Sequence, residues 1–292
     1  MFKSYVIEIL GSVHDDDELI KKLQRSDFII TKKGNTRDVV SYFGGRINPL
    51  KQIIFDCLDT GLIKEKLKAL WSNGKKITIS LDISLIDRKT LAEIISIIGK
   101  ATLNSPIQIL LIYSLAKYTP PSGEYVINSS VKPVSPFFSG WAQRPGLPTL
   151  SIVGLGYEKD KALGAVEYIE SSDNFLFFPQ SAEKEYSSDV EVMNEALIKS
   201  AKSKELMKYN VEQPTDTLYS LDSILSSVKN KYKVVLFPFG PKIFYALSLL
   251  AAIIHPEASV WYVSGECGDK DSSQDREISS MTGFEFTIQI NS

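Results

Sequence analysis

YKVVLFPFGPKIFYALSLLAAIIHPEASVWYVSGE, residues 232–266, reads as strand, loop, helix and strand in succession. Val234 to Phe237 form an apolar run without charge, as in a strand covered on both faces. Pro238 and Gly240 interrupt it, and Pro241 is suited to the first helical position, where its missing N–H costs nothing. Ile243 to Ile254 is apolar throughout but short of the ~20 residues that span a bilayer, so it predicts a buried helix. Ser259 to Val263 is a second covered strand, running into Ser264-Gly265-Glu266. Lys242 is the only charged residue between Lys233 and Glu257. In the first turn of a helix it opposes a dipole whose N-terminal end is already positive. A bound anion relieves that conflict; a side chain that snorkels into water avoids it.

Outward from this unit, strands alternate with helices. In the second half, Thr149 to Val153, Asn174 to Phe178 and Val211 mark strands. Lys159 to Glu170, Val190 to Lys204 and Leu218 to Val228 mark helices, and Phe284 to Ile290 alternates like a final edge strand. In the first half, Tyr5 to Leu10, Phe28 to Thr31, Ile77 to Ile83 and Ile107 to Tyr113 read as strands. His14 to Gln24 and Arg88 to Lys100 read as helices, Ile53 to Trp71 as a broken helix, and Lys32 to Gly45 as a loop with at most one helical turn. The fold class is therefore α/β: a Rossmann-like, mostly parallel sheet with helices on both faces, preceded by a smaller α/β half. Ser114 to Leu147 is a long connection rich in Pro, Ser, Gly and aromatics. Loops of this length are usually functional. A boundary within it divides the chain into an N-terminal domain, 1–130, and a Rossmann domain, 131–292. No short-period repeat stands out.

The totals narrow the function classes. With 292 residues, 43% hydrophobic, 23% charged and a net charge of −2, the chain lacks the basic footprint of nonspecific nucleic-acid binding. Two cysteines, Cys57 and Cys267, and two histidines, His14 and His255, exclude a disulfide framework and all-thiolate or all-histidine metal sites. The N-terminus turns acidic early and lacks a signal-peptide cleavage pattern. The expectation is a cytoplasmic protein without a membrane segment.

Ligands of open parallel sheets sit at the carboxyl ends of the strands, where strand order switches. Four such ends are candidates: Gly154 to Glu158, Gln180-Ser181, Phe239 to Lys242, and Ser264 to Glu266. Gly154-Leu155-Gly156 falls short of the dinucleotide fingerprint, because Lys159 occupies the third glycine's place. It is either a tight strand-to-helix turn or a phosphate cradle. Tyr157 is placed to stack on a base. Glu158 either stabilises a helix start or binds a ribose hydroxyl or acts as a base. Ser181 and Ser264 are candidate specificity contacts. In the first half, Asp82 interrupts an apolar run. It either pairs with Arg88 or Lys89 beside a helix capped by Ser84 or Asp87, or it marks a second active centre. His255 ends an apolar helix, where an imidazole tends to cap carbonyls. Asp15 to Glu18 reads as a solvated helix start. No nucleophile–base pair stands out, which favours a binding protein over an enzyme.

The order of elements in 149–266 resembles the CRISPR-associated Rossmann fold (CARF) sensor domains. TLSIVGLG ends in the Gly154-Leu155-Gly156 turn and NFLFFPQS in Gln180-Ser181. FGPKIFYALSLLAAI with ASVWYVSGE is similar to the family's glycine–threonine–lysine loop, small-residue helix and next strand. Pro241 replaces the usual threonine, removing a hydroxyl and a backbone donor. The resemblance implies a nucleotide-like ligand bound at Gly154, Gly156, Tyr157, Glu158, Ser181, Gly240, Lys242 and Ser264, with no metal and no other cofactor. It further implies a sensor or regulatory subunit of a bacterial antiviral defence system, partnered by a nucleotide signal or an effector protein, with a homodimer also open. Two other expectations stand beside it: a non-catalytic interaction subunit using the loop around Phe137, Phe138 and Trp141, and a nucleotide hydrolase using Lys242 with Glu158 or Asp82.

Overall fold

The computed structural model describes residues 4–34, 36–47, 53–56, 59–71, 76–103, 105–120, 128–140, 146–202, 205–265 and 276–291. The chain divides into two compact units, Met1–Lys117 with Ser273–Ser292, and Tyr118–Ser272. Each is α/β, with a six-stranded, mostly parallel mixed sheet flanked by helices. The division differs from the expected one near residue 130 in both its position and its continuity, because the C-terminal strand returns to the first unit.

In the first unit the elements are β1 (Tyr5–Val13), α1 (Asp16–Arg25), β2 (Phe28–Thr31), α2 (Val39–Phe43), β3 (Ile53–Asp56), α3 (Thr60–Trp71), β4 (Ile77–Asp82), α4 (Arg88–Ala101) and β5 (Ile107–Ala116). The second unit contributes β6 (Asn128–Pro133), β7 (Thr149–Gly154), α5 (Lys161–Tyr168), β8 (Asp173–Gln180), α6 (Lys184–Met193), α7 (Glu195–Ser200), β9 (Leu206–Asn210), α8 (Pro214–Val228), β10 (Lys233–Pro238), α9 (Lys242–Ile254) and β11 (Ser259–Gly265). The last strand, β12 (Ile278–Ile290), belongs to the first unit.

The first sheet runs β1-β12-β5-β4-β2-β3. Strands β2 to β5 are parallel, and β12 is antiparallel to both its neighbours. The expected edge strand is thus an interior one. Its alternation reports a sheet face rather than a position: Phe284, Phe286 and Ile288 are buried. On the other face Glu285 receives hydrogen bonds from Lys22 Nζ (2.5 Å) and Gln108 Nε2 (2.6 Å). Ile53–Asp56, expected to be helical, is the edge strand β3 beside β2. The acidic run behaves as expected: Asp15 caps α1, its carboxylate accepting from the Glu18 N–H at 2.9 Å.

The second sheet runs β6-β11-β10-β7-β8-β9, with β11, β10, β7, β8 and β9 parallel and β6 antiparallel. This is the strand order of doubly wound Rossmann sheets, with β6 in the sixth place. Val234 to Phe237 are all buried, as a two-faced strand requires. One face of the sheet packs Val153, Leu176, Phe178, Val235 and Phe237 against Ala162, Ala165 and Val166 of α5 and Val190 and Leu197 of α6 and α7. On the other face lies α9, buried from Ile243 through Ile253. Its Phe244 ring sits 5.1 Å from both Phe177 and Tyr209. Alternate residues of each strand therefore serve opposite cores, which is why the strands carry no polar period. Strand β9 (Leu206–Asn210) precedes the expected Val211, and the expected helix 190–204 is two shorter ones meeting at Asn194.

Candidate functional site

From β7 the chain proceeds to β8 on one side, and from the adjacent β10 to β11 on the other. The following helices, α5 and α9, diverge, so the carboxyl ends of β7 and β10 flank the switch in strand order where such sheets hold ligands. The two loops there touch. Gly240 has φ 72°, and a Cβ on it would overlap the Leu155 carbonyl oxygen. A Cβ on Gly156 would lie 2.7 Å from Gly240 N and 2.6 Å from Glu158 Oε2. A Cβ on Gly154 would run into the Phe244 ring. All three glycines are therefore needed for close packing between the β7 turn, the β10 loop and α9. Pro241 is the N-cap of α9, one place earlier than expected, with its carbonyl accepting from the Phe244 N–H at 3.0 Å.

Lys242 is the first residue of α9 and is half-buried; no side chain caps that helix. The helix leaving β7 repeats the arrangement. It begins at Lys161, after Asp160 in left-handed backbone (φ 56°), and again lacks a side-chain cap. Lys161 opposes its helix dipole as Lys242 does. Its side chain is only 11% exposed, with Nζ 3.8 Å from Glu158 Oε1 and 5.9 Å above the Phe239 ring. Sequence reasoning missed Lys161 because it started this helix two residues early. Glu158, folded across Gly156, pairs through its carboxylate with the Lys161 ammonium, and its main-chain carbonyl accepts from the Lys161 N–H at 3.4 Å.

The remaining candidates lie to either side. Four consecutive strands, β8-β7-β10-β11, end on one edge, which places Ser181 and Ser264 on the flanks, roughly three strand spacings or ~14 Å apart. The Ser181 hydroxyl donates to the Glu183 carbonyl at 3.2 Å. Ser264 pairs with Ser130 across the β11–β6 ladder. On the β8 side Tyr157 stacks on Tyr186 of α6, rings 5.9 Å apart and inclined by 18°. Tyr186 meets the edge of Tyr118 at 5.2 Å. Buried Asn194 was also missed. Its Nδ2 donates to Gly156 O at 2.6 Å and to Val190 O at 2.8 Å, pinning the glycine turn. Glu266, Trp141, Cys57 and Cys267 lie outside the described residues. Phe138 is 1% exposed, which removes it from any contact surface.

In the first unit, Asp82 is buried at the end of β4. Its carboxylate accepts from Val39 N (2.7 Å), Ser84 N (3.0 Å) and Thr31 Oγ1 (3.1 Å). Burial pushes its pKa up against those bonds. The α4 cap is Asp87, accepting from Thr90 N at 2.9 Å. Asp82 is thus anchored to the start of α2, to the turn at Ser84 and to Thr31 of β2. Arg37, beside it in sequence, donates from Nη2 to Ser114 O at 2.9 Å. The chain's own carboxylates, Asp82 and Asp38, satisfy the first N–H groups of α2.

His255 ends α9, but its ring pairs with carboxylates: Nε2 lies 2.7 Å from Asp222 Oδ1 and Nδ1 3.4 Å from Glu257 Oε1. Burial lowers the imidazole pKa, but the bonds to Glu257 and Asp222 outweigh it and the net direction is up. Among the described residues no helix is long and apolar enough to cross a membrane.

No known protein-family model matches the chain. No curated protein sequence matches it either.

Proposed function

We propose that the carboxyl edge of the second sheet binds a nucleotide-like anion, and that the protein is a sensor or regulatory subunit rather than an enzyme. One observation carries this: at the β7/β10 switch two glycine loops touch, and the helix leaving each strand begins with a lysine and has no side-chain cap. Two helix N-termini without a side-chain cap, each opening with a lysine, suit a phosphate at a strand-order switch. Gly154, Gly156 and Gly240 let the backbones approach, Lys242 and Lys161 supply charge, and Tyr157, Glu158, Ser181 and Ser264 lie along the same edge. The antiviral-defence setting and an effector partner rest on the CARF resemblance of 149–266 alone.

The test is thermal unfolding with nucleoside mono-, di- and triphosphates and cyclic di- and oligonucleotides, followed by chromatography of the nucleotide. A sensor gains stability and returns the nucleotide intact; turnover would make it an enzyme. Lys242→Ala is expected to abolish the shift. Signalling further requires different affinities in two states. Indifference to the whole panel would sink the reading.

A further inference from the structure

Both sheets end in edge strands, and most of these are blunted against pairing. β3 is four residues long, β9 is five and carries Lys208, and β6 carries Lys132 and Pro133. β1 is different. It runs nine residues and pairs with β12 on one side; among the described residues no strand meets its other side. Its regular part, Tyr5 to Ile9, holds a single charge, Glu8, and neither proline nor glycine. The register shift that interrupts the strand comes only after Ile9.

One bond fixes the phase of the free edge. The Asn291 N–H donates to Ser4 O at 2.8 Å, and continuing the Tyr5↔Ile290 register sets those two residues opposite each other. Ser4, Val6 and Glu8 therefore turn their main-chain groups toward β12, and Tyr5, Ile7 and Ile9 turn theirs outward. The same three residues share one sheet face. They stand opposite Ile290, Ile288 and Phe286, the last two fully buried, yet are themselves only part-buried. Outward hydrogen-bonding groups and a half-covered apolar row thus belong to the same residues.

We infer that β1 pairs antiparallel with β1 of a second copy of this chain, Ile7 opposite Ile7 and Tyr5 opposite Ile9, joining two six-stranded sheets edge to edge. A two-fold axis normal to the sheet keeps each face in line, so the apolar row of one copy meets that of the other. Centred on Ile7, all three outward residues find partners, with two hydrogen bonds at each opposed pair. Glu8 then faces Val6 of the second copy. Centring on Glu8 would set two carboxylates directly opposite, which destabilises a sheet, and centring on Val6 would leave Ile9 without a partner. The strand is complementary to itself in one register. A strand edge is a small interface, below the ~1,200 Å² of stable complexes, so the dimer forms with rising concentration. This inference is independent of the nucleotide reading, which concerns the second sheet.

The experiment is sedimentation equilibrium of the full chain over micromolar to submillimolar concentrations, as wild type and as Ile7→Lys. Cysteine cross-linking of Ile7→Cys and Glu8→Cys, each in a Cys57→Ser, Cys267→Ser background, accompanies it. Wild type is expected to pass from monomer to dimer, and Ile7→Lys to weaken that association at least about tenfold, because two ammonium groups would face each other. Ile7 opposite itself sets two Cα atoms ~5.5 Å apart, within disulfide reach. Ile7→Cys should therefore give a covalent dimer under mild oxidation, and Glu8→Cys little. A wild type that stays monomeric throughout, or a dimer that Ile7→Lys leaves unchanged, would overturn the proposal. So would cross-linking through Glu8→Cys in preference to Ile7→Cys. Should Ile7→Lys not fold, the wild-type concentration series and the two cysteine variants decide.

Discussion

Asn194, at the junction of α6 and α7, donates its side-chain amide to the main-chain carbonyl of Gly156 from 38 residues away, at 2.6 Å and out of contact with water. The same nitrogen reaches Val190 O. Removing it leaves Gly156 O without this bond in the tightest part of the second unit, where an unsatisfied buried acceptor costs about 1–3 kcal/mol. Asn194→Ala should lower the urea midpoint accordingly. Asn194→Asp should lower it further at neutral pH, because a carboxylate would face two carbonyl oxygens. Equal stability of Asp and Asn at this position would show that the bond to Gly156 does not form.

Gly240 gives a sharper contrast. Left-handed backbone costs a residue with a Cβ about 1–2 kcal/mol, and here the Cβ would also overlap the Leu155 carbonyl oxygen, a main-chain atom that cannot swing aside. Gly240→Ala is expected to destabilise the protein by more than the backbone strain alone. Gly146→Ala, where a Cβ meets nothing within 4 Å, should stay within about 0.5 kcal/mol of wild type. Thermal unfolding of the two variants side by side is the check, and a neutral Gly240→Ala would contradict the close approach of the loops.

What the sequence alone makes readable follows a physical line. β10, α9 and β11 were legible because burial on both sides leaves a continuous apolar run, and the glycine positions were legible because close backbone approach admits little else. Pairings between distant segments were not. Nothing local to Phe284–Ile290 announces β1 and β5 as its neighbours, so an interior strand passed for an edge. Lys161 was hidden by an error of two residues in a helix start, a boundary that frays in any reading. Asp82 was singled out correctly as a buried carboxylate, but one of its partners, the N–H of Val39, lies 43 residues away in a segment too polar to mark as a helix.

Asp82 also yields a test that separates charge from shape. Both its oxygens accept backbone N–H groups, Oδ2 from Val39 and Oδ1 from Ser84. An asparagine has the same outline but offers only one acceptor atom, so its NH₂ must face a donor. Asp82→Asn should therefore destabilise by about 1–3 kcal/mol, the cost of a buried unmatched polar group. Asp82→Ala should do at least as much. Chemical denaturation decides: an Asn variant as stable as wild type would mean that α2 is not held through this carboxylate.

His255 sets the pH dependence. Its folded pKa is raised, through bonds to Glu257 and Asp222 that outweigh its burial, while Glu257 is depressed by the same contact with His255 despite its own burial. A raised imidazole contributes stability that is complete below its unfolded pKa of about 6.5 and lost as pH rises through the folded value. A depressed carboxyl contributes above its unfolded pKa of about 4.3 and loses that contribution as pH falls through the folded value. The pair is therefore strongest between roughly pH 4.5 and 6.5. In urea titrations the margin of wild type over His255→Gln should be widest near pH 5.5 and shrink by pH 8.5. A margin that does not change across this range would mean that the ring is neutral where α9 meets Asp222 and Glu257.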